Sequence, residues 1–257
     1  MNCVVIGTGW LGSPLAGSLA QKGHSVTGTR RSVNLMTKRA YRLIPYPPAT
    51  NPVKDVLKKA DVIIIAFPPG RSSVEDYTTD CLAVCELIAA DCKVILTSST
   101  SIYEVKNGTC AEEDLVYDAE STHRIHKAER ALRKLLGNRL TIIRFAGLIG
   151  PNRHPVKNMI KSGITYAANQ PINVIHQLDA VGLIEHVIEH ELWGETINGC
   201  APEHPNRGAY YTWMAKQLEL KPPLFEEADG ESKLVNAEKS IKLGYVYQFP
   251  DPFDFPL

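Results

Sequence analysis

The sequence predicts a doubly wound α/β fold, an open parallel sheet with helices on both faces, carrying a small C-terminal substrate lobe. Three observations lead to this expectation. Short apolar runs rich in β-branched residues alternate with helical stretches over residues 1–150, a glycine-rich turn follows the first run, and the character of the chain changes after Gly150-Pro151. Strands buried on both faces read as unbroken apolar runs, whereas a strand with one wet face alternates. Strand, helix and strand in repetition then favour parallel pairing, because each crossover returns the chain to the same edge.

The strand runs are residues 4–6, 62–65, 94–96 and 140–143, and the helical stretches between them are 13–22, 74–90 and 119–136. A second strand, His24-Ser25-Val26-Thr27-Gly28, follows the first helix. Ile44-Pro45-Tyr46-Pro47-Pro48 holds too much proline for a central strand and reads as a short third strand giving way to a loop. Beyond residue 150 come a strand at 173–176, a helix over 179–190, a strand at 196–200, a helix over 210–220 and a tail rich in Pro and Phe. Asp179 most simply caps the helix that begins at Ala180. Residues 1–150 therefore form the sheet domain, with 176–200 returning to it, and 151–175 and 201–257 form the small lobe of a single compact unit.

Residues 2–6 run straight into Gly7-Thr8-Gly9-Trp10-Leu11-Gly12, and a helix follows. Glycine at the first place lets the chain turn tightly. At the second it lets the backbone approach a diphosphate with no Cβ in the way, and at the third it lets helix and strand pack closely. The helix tip then offers N–H groups and the positive end of its dipole to phosphate. This is the dinucleotide-binding turn of a Rossmann domain, with Gly7, Thr8, Gly9, Trp10, Leu11 and Gly12 as its contact residues. The second strand leads into Thr29-Arg30-Arg31, where a chain built for NAD places a carboxylate for the ribose hydroxyls. Arginine there suits the 2′-phosphate of NADP, which a guanidinium meets bidentately. NADP(H) is thus the expected cofactor, ahead of NAD(H), with Thr29, Arg30 and Arg31 contacting it. After the fourth strand, Phe67, Pro68 and Pro69 would form a rigid wall for its adenosine half.

Lys and Arg together number 28, as do Asp and Glu, and 44% of residues are hydrophobic. That balance points away from nucleic acid and membrane surfaces, leaving a small molecule as the expected partner. No apolar run approaches the roughly 18 residues of a membrane helix, and Met1-Asn2-Cys3-Val4-Val5-Ile6 lacks the basic start of a signal peptide. The six cysteines contain no Cys-x-x-Cys pair and read as reduced thiols of a cytoplasmic protein. No metal is expected. His186 and His190 share a helical face, but the segment around them reads as the polar side of an amphipathic helix.

The fifth strand ends in Thr97-Ser98-Ser99-Thr100-Ser101-Ile102-Tyr103, and here the chain resembles the extended or atypical short-chain dehydrogenase/reductases of the NAD-dependent epimerase/dehydratase group. The resemblance spans nearly the whole chain. It includes the glycine turn, Ile143-Arg144-Phe145-Ala146-Gly147-Leu148-Ile149-Gly150-Pro151, Asn173-Val174-Ile175-His176-Gln177-Leu178-Asp179 and Thr196-Ile197-Asn198-Gly199-Cys200.

The resemblance implies that Ser99 hydrogen-bonds the reacting oxygen of the substrate, with Ser98 beside the cofactor. It also implies a Tyr-x-x-x-Lys pair in the following helix, since a hydride leaves an alcohol carbon only if the oxygen gives up its proton. This chain lacks that tyrosine. One register puts His123 and Lys127 at the two places, and a register anchored on Glu129 puts Ser121 and Ile125 there. Imidazole titrates near neutrality unaided, so His123 is a candidate proton carrier, with Tyr103 as another and Lys127 as the ribose or pKa-tuning group. Gly147 also departs from the group, many of whose members carry Asn there. Arg153, His154 and His176 are the candidate substrate contacts, while Arg144 reads either as a ligand contact or as an ion-pair partner. The expectation is an NADP(H)-dependent oxidoreductase or epimerase-like enzyme for a small polar metabolite. Its rival is a non-catalytic NADP(H) sensor or scaffold that has lost the tyrosine. A homodimer is implied by resemblance alone.

Overall fold

A computed structural model describes residues 1–31, 39–46, 51–70, 74–104, 107–228 and 231–256. In chain order its elements begin with β1 (Asn2–Ile6), α1 (Gly12–Gln21), β2 (Ser25–Arg30), β3 (Arg42–Pro45), α2 (Asn51–Lys58), β4 (Val62–Ile65), α3 (Val74–Cys85) and β5 (Lys93–Ser99). They continue with β6 (Gly108–Cys110), α4 (Arg124–Leu136), β7 (Leu140–Phe145), β8 (Gly147–Ile149), α5 (Pro155–Ser162), β9 (Thr165–Ala167) and β10 (Val174–His176). The last are α6 (Gln177–Glu189), β11 (Thr196–Gly199), α7 (Arg207–Gln217), β12 (Leu224–Glu226), β13 (Lys233–Val235) and α8 (Glu238–Lys242). Two compact units result. The first comprises Met1–Ile102, Val116–Arg144 and Ile184–Ile197, and the second Tyr103–Leu115, Phe145–Leu183 and Asn198–Leu257.

The first unit is the doubly wound sheet. Its spatial order, β11-β7-β5-β4-β1-β2-β3, runs outward in both directions from the β4–β1 pair, so the strand order reverses beside β1. Ligands of open α/β sheets bind at the carboxyl ends of the strands at such a reversal. β1 pairs in parallel with β2 (Ile6 opposite Thr29) and with β4 (Ile6 opposite Ile65). All of Val62–Ile65 and Leu140–Phe145 are buried, as strands covered on both faces must be. β3 is short and ends in Pro45 at the sheet edge, where a missing N–H costs no ladder bond.

Two helices of the first unit are markedly shorter than expected, and one helix is new. α3 stops at Cys85, and α4 starts at Arg124, because His123 accepts the His126 N–H and caps it. α2, unforeseen in the sequence, buries only Val53 and Leu57 completely among its described side chains, too few positions to announce a helix.

The second unit holds three parallel strand pairs, β8 with β10, β9 with β12 and β6 with β13. The last pair draws residues 103–115 into this unit, ahead of the boundary expected at 150. Its core gathers Ile149, Val156, Val174, Tyr210, Met214 and Phe255. Asp179 is not the expected cap, since α6 begins two residues earlier. Its carboxylate is buried and accepts hydrogen bonds from Tyr245 Oη (3.0 Å), Gln248 N (2.7 Å) and Phe249 N (3.0 Å), fastening the tail to the start of α6.

Candidate functional site

The turn after β1 is built on glycine. Gly7 has φ +99°, a region in which side chains other than glycine are strained. A Cβ on Gly7 would lie 2.9 Å from Phe67 N, and one on Gly12 2.3 Å from the Gly7 carbonyl oxygen, so both glycines are demanded by packing within the chain. Gly9 is different. Among the described residues nothing lies within 4 Å of the place its Cβ would take, and the residue is exposed. The open face of Gly9 is the cradle a diphosphate requires, and the turn therefore fits a nicotinamide dinucleotide. α1 has no acidic residue in its first turn and no side-chain cap at Leu11, so its positive dipole end is not cancelled from within.

Thr8 and Thr29, expected as cofactor contacts, hold the turn in shape. Thr29 Oγ1 accepts the Gly7 N–H (3.2 Å), and the Thr29 carbonyl accepts both the Thr8 N–H (2.8 Å) and the Thr8 hydroxyl (3.0 Å). Both threonines are buried. Beyond them Arg30 and Arg31 are exposed at the end of β2, and Trp10 is half-buried in the turn. The Ala66 N–H donates to the Ile6 carbonyl at 2.8 Å, which brings the Phe67 backbone against Gly7. The Phe67 ring packs edge-on against Tyr77 at 5.7 Å, leaving Pro68 exposed and Pro69 half-buried.

At the end of β5 two adjacent serines part ways. Ser98, expected at the cofactor, turns inward and donates to Glu129 Oε1 at 2.5 Å. Ser99 is half-buried, and its Oγ accepts the Ser101 N–H at 3.1 Å, a bond that leaves its own hydroxyl hydrogen unused. Glu129 is fully buried and meets the equally buried Arg144, with Nη2 to Oε2 at 2.8 Å and Nε to Oε1 at 3.2 Å. Arg144 is thus an ion-pair partner. Tyr117 donates to Glu129 Oε2 (2.6 Å) and accepts from Arg144 Nη2 (3.0 Å) and Arg133 Nε (2.9 Å). Burial, followed by the Glu129 carboxylate, pushes the Tyr117 phenol up, away from proton exchange at neutral pH.

The sequence reading missed Tyr117 and Arg133 in this network. A signal for the network existed, however. Glu129 falls in the stripe Ile125, Ala128, Leu132, Leu136 on the buried face of α4, and a carboxylate there demands a buried cation.

His123 is exposed just before α4. Its Nδ1 faces the His126 N–H at 3.5 Å, and its own N–H donates to Ser121 Oγ at 3.3 Å. Lys127 lies one turn further, half-buried, while Ile125 faces the core. Of the two registers, the one holding His123 and Lys127 presents ionisable groups. Arg124 Nη1 donates to the Gly70 carbonyl at 2.9 Å, tying the loop after β4 to the start of α4.

The remaining candidates belong to the second unit. Tyr103 is buried and donates to Asn198 Oδ1 at 2.7 Å, a structural bond that opposes the role of proton donor. Arg153 is exposed. His154 precedes α5 with both ring nitrogens buried and unpaired among the described residues. His176, expected at the substrate, is a core residue, 1% exposed, packed against Phe249 (5.0 Å) and Phe255 (5.4 Å). Burial lowers the pKa of both histidines. Among the described residues no three His, Cys, Asp or Glu side chains gather as a metal would need, and no helix is long and apolar enough to cross a membrane.

A model of the family described as NADP oxidoreductase coenzyme F420-dependent matches residues 2–74, the stretch holding the glycine turn. The chain is 32% identical to Protein YeeZ of Escherichia coli (strain K12), with 98% of each covered. UDP-glucuronic acid 4-epimerase from Bacillus cereus, solved with NAD, superposes with a TM-score of 0.76 at 19% identity, over 96% of this chain and 94% of that one. Human epimerase family protein SDR39U1, solved with NADPH, gives 0.65 at 16% identity over 97% and 96%. These two likenesses are of fold.

Proposed function

This chain belongs to the YeeZ family, and from that membership and the glycine turn we propose an NADP(H)-dependent oxidoreductase or epimerase-like enzyme of the extended short-chain dehydrogenase/reductase type, acting on a small polar metabolite. The observation that carries the reading is Gly9, a glycine that packing among the described residues does not require, beside a β2 end that offers Arg30 and Arg31 and no carboxylate. Gly7 to Gly12 would hold the diphosphate and the arginines the 2′-phosphate. The nicotinamide, when bound, supplies a hydride donor or acceptor.

Ser99 can donate its hydroxyl hydrogen to a substrate oxygen. His123 can carry the proton through Nε2, because Nδ1 faces the backbone, and Lys127 stands one helical turn away to bias it. The six cysteines are buried and form no disulfide, and burial raises the Cys3 and Cys92 thiols to about 11, which suits a reducing cytoplasm.

Titration calorimetry with NADPH and NADH tests the reading. Gly9→Ala should keep the thermal midpoint and weaken NADPH by about tenfold or more. Arg30→Ala should weaken NADPH and leave NADH nearly unchanged. Absence of binding by either nucleotide would overturn the proposal. A second reading, a non-catalytic NADP(H) sensor, is favoured by one observation, the engagement of the His123 ring in helix capping where the group carries a tyrosine. Tight NADPH binding with no oxidation across a panel of aldehydes, ketones and nucleotide sugars would select it.

A further inference from the structure

Tyr41, just before β3, stands against the glycine turn. A Cβ on Gly28 would come within 2.4 Å of Thr8 Cγ2 and 2.8 Å of Tyr41 Cε2, so the missing side chain of Gly28 admits both groups onto β2. The Tyr41 Oη then lies 3.1 Å from Ser13 Oγ in the first turn of α1. Arg30 follows Gly28 by two residues. Strand alternation puts those positions on one face, about 7 Å apart. A guanidinium, a phenol and a seryl hydroxyl therefore share the face of β2 that meets the start of α1. Ser13 and Tyr41 are half-buried and Arg30 is exposed, so each residue keeps some surface in solvent. The pair has two hydroxyl hydrogens. One lies in the bond between Ser13 and Tyr41, and the other has no acceptor among the described residues.

We propose that the Ser13–Tyr41 hydroxyl pair completes, with Arg30, the site for the 2′-phosphate monoester of NADP(H), making Tyr41 a specificity-determining residue. The proposal rests on the NADP(H) reading above. A phosphate monoester brings three acceptor oxygens and close to two negative charges at neutral pH. The guanidinium can take two oxygens as a fork, and the spare hydroxyl hydrogen takes the third as a charge-assisted bond. The 2′-hydroxyl of NAD offers this pair no charge, and the gain there is correspondingly small.

Tyr41→Phe keeps the ring on Gly28 and removes only the hydroxyl. By calorimetry it should weaken NADPH about tenfold and change NADH by less than about twofold. Ser13→Ala should do the same, and the double variant should lose little more than either single one, because the pair acts as one donor. Equal losses for both nucleotides would reduce Tyr41 to packing and overturn the proposal, as would no loss for either. A wild-type protein that prefers NADH or binds neither nucleotide refutes the parent reading before any variant is made. A wild-type preference for NADPH that Arg30→Ala erases and Tyr41→Phe leaves intact refutes this inference alone. Thermal denaturation of each variant separates loss of binding from loss of fold.

Discussion

Removing the Glu129 side chain should damage the first unit more than removing any surface charge. Glu129 and Arg144 are 0% and 1% exposed, so neither ion can recover hydration when the other is lost. Glu129→Ala removes the carboxylate that pairs with the buried Arg144 guanidinium and takes the acceptor from Ser98 and Tyr117. Breaking a buried pair from one side costs about 3–5 kcal/mol. For a chain of this size each kcal/mol shifts the midpoint by about 2–4 °C, so the melt should fall by about 6–20 °C.

The pair itself is a different matter. Two ions that must both be desolvated gain little over apolar groups of the same volume. Glu129→Leu combined with Arg144→Met should therefore be far more stable than the sum of the single losses implies, a coupling that a double-mutant cycle measures directly. Urea unfolding followed by circular dichroism gives the four free energies. A cost below about 1 kcal/mol for Glu129→Ala, or simple additivity in the cycle, would refute this account of α4 and β7.

Two further outcomes are expected. Asp179→Ala frees three donors at once and should loosen the tail, read as faster proteolytic cleavage between residues 245 and 256 with cleavage elsewhere unchanged; an unchanged digestion pattern would contradict the tether. Burial lowers the pKa of His154, His176 and His204 in the second unit, so near pH 6.5 the unfolded chain binds more protons than the folded one. Stability is then complete above about pH 6.5 and declines as pH falls toward the depressed native values. The thermal midpoint should drop from pH 7.5 to 5.5, and His176→Gln should flatten the slope; a midpoint that rises on acidification would contradict the assigned direction.

Much of the first unit was legible in residues close together in the chain. Unbroken apolar runs such as Val62–Ile65 announce strands covered on both faces, and Gly7, Gly9 and Gly12 announce the turn, because both signals are local. The direction of a neighbouring side chain is a different kind of information. Ser98 and Ser99 are indistinguishable in sequence, and only Glu129, 31 residues on, decides that Ser98 faces inward.

A parallel sheet, a glycine-rich turn with arginines at the end of β2, and the lack of a tyrosine before Lys127 are all readable from residues alone. The folded chain was needed to see that Asp179 grips Tyr245, Gln248 and Phe249 rather than capping a helix, that His176 lies in a core, and that Tyr41 reaches Ser13 across Gly28. Backbone preference acts over a few residues and can be read along the chain. A buried carboxylate or phenol is satisfied by whichever donor or acceptor the fold delivers, 66 to 70 residues away for Asp179 and 28 for Tyr41.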